Sequence, residues 1–493
     1  MRIHKSILFS AVLAAGMFSC EDLVDLKPES TITTESFWED EGDVQSATYG
    51  MYNMFRSTFD VKTVIWGEFR TGFYGQGSST ATNWNDLWQN TMTPTSVGTN
   101  WSTPYMLIND ANLILSKAPA IEFRDEVKKN HVLGQAYFVR AFTYFYIARI
   151  WGDAPIVTEG FESTDQELEP ARRPKAEVFQ QAKDDVAQAI SLLGDREGVN
   201  YIGKDAANML KAEIYLWTAK LENGGEADLK EAQAAIDDVL EAGYVLEDNF
   251  ETVFRNELSP EIIFSIYYSD LENGAGGTSG SGGRAIGTHP SHITLPSVEL
   301  TPDNLESEVP VKPQPQWLDL SAFFINDFLN ASVNDSRTPV THNSAGTGGQ
   351  TVTWINKYIG EVFAGTRVSS SDLIIYRFAD AVLIKAEIEN ALGNTPEALI
   401  HLNKIAKRAY GVDNYFTGLN EAQVDEAILN QRILEFVLEG KSWFDIQRFG
   451  KAFEMIPTLV GRASEHKGNI LLFPVAQDVI NRNRNIVQTD GYN

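Results

Sequence analysis

The residues of this 493-residue chain best suited to doing chemistry are aromatic. Four of its ten tryptophans, Trp66, Trp84, Trp88 and Trp101, fall within 36 residues, beside Phe69, Phe73 and Tyr74 and the polar Arg70, Gln76, Asn83 and Asn85. Flat rings stack on the C–H faces of sugars while amides and guanidinium groups bond the hydroxyls, and a shallow sugar site needs both. Core packing competes for the same residues. Trp84 and Trp88 are four apart, so one helix face can bury both, and Trp101 with Tyr105 and Ile108 reads as the start of a packed helix. Trp317 and Trp354 flank a polar insertion. Side-chain chemistry therefore nominates Arg70, Tyr74, Trp84, Trp88, Trp317 and Trp354 as the glycan-binding set.

Catalytic and metal signals are poor by comparison. The 67 carboxylates make acid/base pairs available everywhere, and sequence cannot place two at catalytic separation. There is no G-x-S-x-G elbow and no Gly-x-x-x-x-Gly-Lys loop. His289 and His292 are three apart beside Pro290, without a cysteine or an HExxH helix to complete a zinc site. No EF-hand pattern appears. The reading is no enzyme, no cofactor and no metal. Near the C-terminus Glu435 and Glu439 lie one helical turn apart, with Lys441, Asp445 and Arg448 beyond Gly440. Interleaved Leu434, Phe436, Leu438, Trp443 and Phe444 make these a structural ion-pair and capping network rather than an active site.

The chain holds one cysteine, Cys20, which excludes an intramolecular disulfide or a two-thiol redox cycle. Arg2 and Lys5 precede an apolar run from Ile7 to Phe18, the layout of a secretory signal and too short to span a bilayer. Ser19 is the small residue expected before a cut, so residues 1–19 read as a signal and Cys20 as the first mature residue. The pattern resembles a bacterial lipoprotein signal, with Met17 and Phe18 where leucine and a smaller residue are commoner; the alternative is a free thiol behind an ordinary signal. Lipidated Cys20 would hold the protein to a membrane. Removing the signal leaves 38 basic against 67 acidic residues, a net charge of −29, and such a field disfavours nucleic acid and other polyanions.

These residues need a scaffold, and its pattern is helical. A polar tether occupies residues 20–34, after which Ser36 can cap a helix carrying Val44, Ala47, Tyr52 and Phe55. The stretch His131–Trp151 and a helix opened at Pro174, with Val178, Ala182, Val186, Ile190 and Leu193 at helical spacing, suggest a hairpin. The arrangement recurs: Lys211-Ala-Glu-Ile214 precedes a helix over Ala232–Val239, and Lys385-Ala-Glu-Ile388 precedes one with Thr395 as N-cap and Pro396 at the first helical position. Alanine and glycine spacing in the later unit approaches that of tetratricopeptide repeats. Residues 270–350 are different, with seven glycines in Asn273–Gly287 and six prolines before Gln316, and read as a loop-rich, functional insertion. Ile262–Tyr268 and Gln350–Val362 have strand character. The fold class is mostly α, with minor β.

Gln431-Arg-Ile-Leu-Glu-Phe-Val-Leu-Glu-Gly-Lys-Ser-Trp-Phe-Asp-Ile-Gln-Arg448 resembles the C-terminal signature of the SusD/RagB family of outer-membrane lipoproteins, R-x-x-E-x-x-x-E-G-x-R-x-x-D-L-x-R, with Lys441 for an arginine and Ile446 for a leucine. Cys20-Glu-Asp, Phe37-Trp38, Trp101–Asn112, Gly152-Asp-Ala-Pro155 and Tyr376-Arg-Phe-Ala-Asp-Ala extend the likeness along residues 35–493, read as one domain. The resemblance implies about four tetratricopeptide-like helix pairs with a glycan-binding face built from loops and the insertion. It also implies a lipid-anchored, cell-surface protein of Bacteroidota that lids a SusC-like TonB-dependent transporter, captures oligo- or polysaccharide and leaves hydrolysis to other proteins. The net charge favours a neutral glycan such as a glucan. Arg56, Lys62, Arg70, Arg284 and Arg337 could instead form a local basic patch for an acidic polymer such as alginate. A peptide-uptake lid of the RagB kind and, further off, a surface glycoside hydrolase are the other classes.

Overall fold

Helix α1 (Glu41–Thr58) shows how local sequence starts the fold. Asp40 accepts from the backbone N–H of Gly42 at 2.7 Å and of Asp43 at 3.3 Å, while Asp43 accepts from the N–H of Asp40 at 3.0 Å. This reciprocal capping box satisfies three amides that a helix end leaves unpaired. It sets the start four residues beyond the one expected from Ser36, because aspartate caps at both ends of the box. The computed structural model describes residues 37–79, 84–163, 165–269, 289–297, 309–312, 315–347, 350–363 and 366–492. The signal, Cys20 and the tether lie outside the described residues, as do Asn83 and Arg284.

Seven further long helices follow: α2 (Ser102–Lys117), α3 (Glu126–Trp151), α4 (Lys175–Leu192), α5 (Lys204–Leu221), α6 (Gly225–Glu241), α7 (Phe378–Ala391) and α8 (Thr395–Tyr410). They pack as pairs, α1 on α2, α3 on α4, α5 on α6 and α7 on α8, and α6 also packs on α7. The two units whose sequences repeat are thus neighbours in space, although about 150 residues separate them in the chain, as stacked helix pairs require. Helix α3 is buried on every side from Phe138 to Trp151, which identifies it as the central helix. In the last pair the start shifts by one residue: Thr395 is the first helical residue and Pro396 the second. The Asn394 carbonyl takes the Glu397 and Ala398 amides, and the Thr395 hydroxyl donates to Asn390 Oδ1 at 3.0 Å.

The strands are short and antiparallel. β1 (Tyr74–Gln76) pairs with β3 (Leu318–Leu320), β2 (Ile262–Ile266) with β8 (Leu373–Arg377), β4 (Asn343–Thr347) with β5 (Gln350–Trp354), and β6 (Glu361–Phe363) with β7 (Thr366–Val368). The run expected over Gln350–Val362 therefore breaks after Trp354 and resumes as a separate hairpin.

The C-terminal signature folds inward. α9 (Glu421–Glu435) ends in a turn in which Leu438 and Gly440 take φ of +64° and +75°, and α10 (Ser442–Arg448) follows. A Cβ on Gly67 would lie 1.9 Å from the Gly440 carbonyl oxygen, so this crossing needs glycine on both sides. Around it Arg377 bonds Glu261 at 2.8 Å, Glu435 at 2.6 Å and Glu439 at 2.8 Å, all fully buried. Lys357 holds Glu439 at 2.6 Å, Lys441 holds Asp380 at 2.6 Å and Arg448 holds Glu387 at 2.7 Å. Burial alone would raise the Glu387 carboxyl, but Arg448 and Lys220 bring it down to about 2. Among neighbours this well paired, the signature carboxylates serve the core as counter-ions.

Candidate functional site

Pairing of β1 with β3 builds the site by placing residues 76–79 against 316–317. The Gly77 N–H donates to the Trp317 carbonyl at 3.1 Å and the Ser79 N–H to that of Gln316 at 3.0 Å. A Cβ on Gly77 would meet the Gln316 oxygen at 2.6 Å, so only glycine admits this approach. Trp317 is fixed from its other side by donating its own N–H to the Ile293 carbonyl at 2.9 Å. Trp84 stands at the start of a single helical turn, Asn85–Trp88, which puts Trp88 on the same side one turn later.

Three of the nominated tryptophans consequently meet. The Trp84 ring lies 6.3 Å from Trp88 and 6.3 Å from Trp317, edge-on in both cases, and 5.1 Å from Phe69 beneath it. Trp84 and Trp317 are half-buried, whereas Trp88 retains only 9% exposure. The indole N–H groups of Trp88 and Trp317 have no hydrogen-bond partner among the described residues. Asn85 and Gln76 are exposed nearby in the chain, and Gln76 donates to the Ser79 carbonyl at 2.9 Å. Partly exposed rings with amides beside them are the elements that hold a sugar. Behind Trp317 sits His292, with ring centroids 5.9 Å apart. Burial pushes His292 down to about 4, helped by Lys312, which is itself buried, whose ammonium has no hydrogen-bond partner among the described residues and which is pushed down to about 7.

The other nominated residues sit elsewhere, and each is corrected by burial. Arg70 is fully buried: Nε donates to Asn90 Oδ1 at 2.8 Å, Nη1 to the Leu471 carbonyl at 2.8 Å and Nη2 to that of Ile470, with the guanidinium 4.2 Å from the Trp443 ring. It staples two distant segments and presents nothing to solvent. Tyr74 donates to Glu68 and accepts from the Leu438 N–H at 3.0 Å, also inside the core. Trp354 is 2% exposed, its indole spent on Asn356 Oδ1 at 2.8 Å. The proposed basic patch does not assemble from its described members. Arg337 is buried against Asp335 and Glu435, and Lys62 pairs with Asp60 at 3.2 Å.

His289 and His292 do not converge on a metal. His289 Nδ1 accepts from the Ser291 N–H at 3.1 Å in a buried loop, and the described residues contain no group of three or more His, Cys, Asp or Glu placed to hold an ion. Sequence reasoning missed His292 as the support for Trp317, since nothing local marks a histidine as facing an aromatic 25 residues away.

Comparison with known proteins agrees with this architecture. Residues 327–492 match the model of the SusD family, and residues 23–216 match a family described as starch-binding associating with outer membrane. The chain is 28% identical over 485 residues to SusD-like protein P38 of Formosa agariphila, covering 92% of this chain and 93% of that one. SusD-like protein P25 of the same organism is 23% identical over 543 residues, covering 100% and 99%. Among solved structures, B. fragilis NanU superposes with a TM-score of 0.77 at 25% identity, covering 95% of this chain and 100% of that one. A SusD superfamily protein from Bacteroides fragilis NCTC 9343 gives 0.77 at 25% identity, covering 93% and 100%. With both ends matched by family models and the buried signature network between α7 and α10 in place, the chain belongs to the SusD/RagB family.

Proposed function

We propose that this protein binds glycan at the outer membrane and passes it to a SusC-like, TonB-dependent transporter over which it acts as a lid. The observation that carries the reading is the meeting of Trp84 and Trp317, two half-buried rings 6.3 Å apart from segments more than 200 residues distant in sequence. A packed core has no need to leave both partly open, whereas a sugar platform does. The reading is of a binding protein without catalysis, anchored through a lipid on Cys20. Lid closure would follow from tighter binding of ligand in the closed state than in the open one.

A neutral glycan such as a glucan fits the net charge of −27, since each anionic sugar would enter an unfavourable field. Lys312, buried near His292 with its ammonium unpaired among the described residues, favours a second reading, in which the ligand carries a carboxylate or sulfate near that ammonium.

Affinity gels of starch, laminarin and mannan beside alginate and pectin test both. Trp84→Ala/Trp317→Ala should weaken retention by about 1–3 kcal/mol, roughly 5- to 150-fold in Kd. Equal retention of the folded variant and the parent would sink the platform. Cys20→Ala should release folded protein from the membrane fraction; continued attachment would remove the lipid anchor from the reading.

A further inference from the structure

Six aromatic side chains stand out as exposed among the described residues: Tyr49, Phe161, Tyr201, Tyr267, Phe363 and Tyr415. Three of them gather at one place that shares no residue with the tryptophan cluster. On α1, Tyr49, Tyr52, Asn53 and Arg56 follow the i, i+3, i+4, i+7 spacing of a single face, turned away from the buried Val44 and Met51. Tyr267 lies just past β2 between the buried Ile266 and Tyr268, so strand alternation points it outward. Tyr201 reaches the group edge-on to Tyr52, with centroids 6.1 Å apart.

Together Tyr49, Tyr52, Asn53, Arg56, Asn200 and Tyr267 line most of a cavity of about 360 Å³, within the range of small-ligand sites. Its walls are tied rather than loose. The Tyr52 hydroxyl accepts from the Ile202 N–H at 2.9 Å, and Asn200 donates to Ser265 Oγ at 3.0 Å. Arg56 donates to the Tyr267 carbonyl at 2.9 Å and to Asn53 Oδ1 at 3.2 Å. Among the described residues no aspartate or glutamate lines the cavity, although the chain carries 67 of them. Tyrosine 49 is 53% exposed and Tyr267 49%, and two open phenol faces beside two amides and a guanidinium supply the stacking and hydrogen-bonding chemistry that holds a pyranose.

We propose that this cavity is a second carbohydrate subsite, in which a pyranose ring rests on Tyr49 and Tyr267 and its hydroxyls bond Asn53, Asn200 and Arg56. The inference rests on the glycan-binding reading above and adds a place to it. A polymer long enough to touch both sites would gain avidity with no change at either.

Residue-resolved labelling tests it on the whole mature chain. N-acetylimidazole acetylates exposed tyrosines and N-bromosuccinimide oxidises exposed tryptophans, both read by peptide mass spectrometry. Tyr415, 48% exposed and outside both sites, is the internal control. The probes are oligosaccharides of starch, laminarin, mannan, pectin and alginate. At ten times its Kd, a bound sugar should slow acetylation of Tyr49 and Tyr267 about 10-fold while Tyr415 is unchanged. A probe that protects Trp84 yet leaves Tyr49 and Tyr267 reacting as fast as before overturns this subsite alone. Absence of protection at Trp84 and at both tyrosines with every probe counts against the glycan reading as a whole. Protection of the tyrosines only on adding the transporter would reassign the patch to a protein contact. Tyr49→Ala/Tyr267→Ala, at exposed positions that leave the core untouched, should lower polymer retention in affinity gels while Trp84 remains protected by short oligosaccharides; unchanged retention refutes the proposal.

Discussion

Replacing Arg70 by methionine separates a binding arginine from a structural one. In Arg70→Met the oxygens of the Asn90 side chain and the Ile470 and Leu471 carbonyls lose the guanidinium, while the Leu472 carbonyl, which also accepts from it at 3.4 Å, keeps the Tyr492 hydroxyl. Each buried acceptor left unpaired costs about 1–3 kcal/mol. Against this, burial has pushed the guanidinium down to about 10 from 12.5, so removing the cation returns about 3 kcal/mol of desolvation. Taking ~2 kcal/mol per oxygen, the balance is a loss of about 3 kcal/mol, with the Trp443 contact adding to it. Urea unfolding followed by circular dichroism measures the loss, and affinity electrophoresis on the protein that remains folded measures binding. The expected outcome is a lower midpoint with unchanged retention in the gel. A variant as stable as the parent to within about 0.5 kcal/mol, but unable to bind glycan, would refute the reasoning and return Arg70 to the ligand site.

Two further outcomes follow from buried groups. Burial raises the Glu68 carboxyl to about 7, despite its bonds from Tyr74, Leu438 and Gly440. The folded state therefore holds a proton that the unfolded state has lost, so stability is greatest below about pH 4.5 for this group and is lost as pH rises through 7. Glu68→Gln should flatten that slope, and an identical pH profile for parent and variant would exclude Glu68 as its source. Trp354→Ala should cost about 3–5 kcal/mol of stability with no change in glycan affinity, measured by the same pair of assays; a stable variant that binds poorly would put Trp354 back at the surface.

Much of the scaffold was legible because its signals are local. An alanine- and aromatic-rich run identified α3, hydrophobic spacing of 3.6 identified α4, the Lys-Ala-Glu-Ile repeat marked α5 and α7, and the glycine at 440 marked the turn between α9 and α10. Errors were also local, as at Ser36 and Thr395, where a competing cap moved the boundary by four residues and by one. The chemistry of the site was harder to read. Arg70 and Trp84 lie 14 residues apart in an aromatic stretch of uniform composition, and nothing in that stretch says which is covered. Arg70 is covered because residues 470–472 close over it, whereas Trp84, with Trp317 brought to its edge by β1 and β3, stays half-open.

By itself the sequence determined the helical class, the repeated helix pairs, the family resemblance and the kind of side chains a glycan site would draw on, since these depend on periodicity and composition. Only the tertiary structure decided which aromatics keep an open face, that Tyr49 and Tyr267 share a cavity, and which cations pair with the acidic signature. Exposure is a property of what packs against a residue, and for these residues the packing partners come from segments tens to hundreds of positions away, beyond the reach of any local pattern.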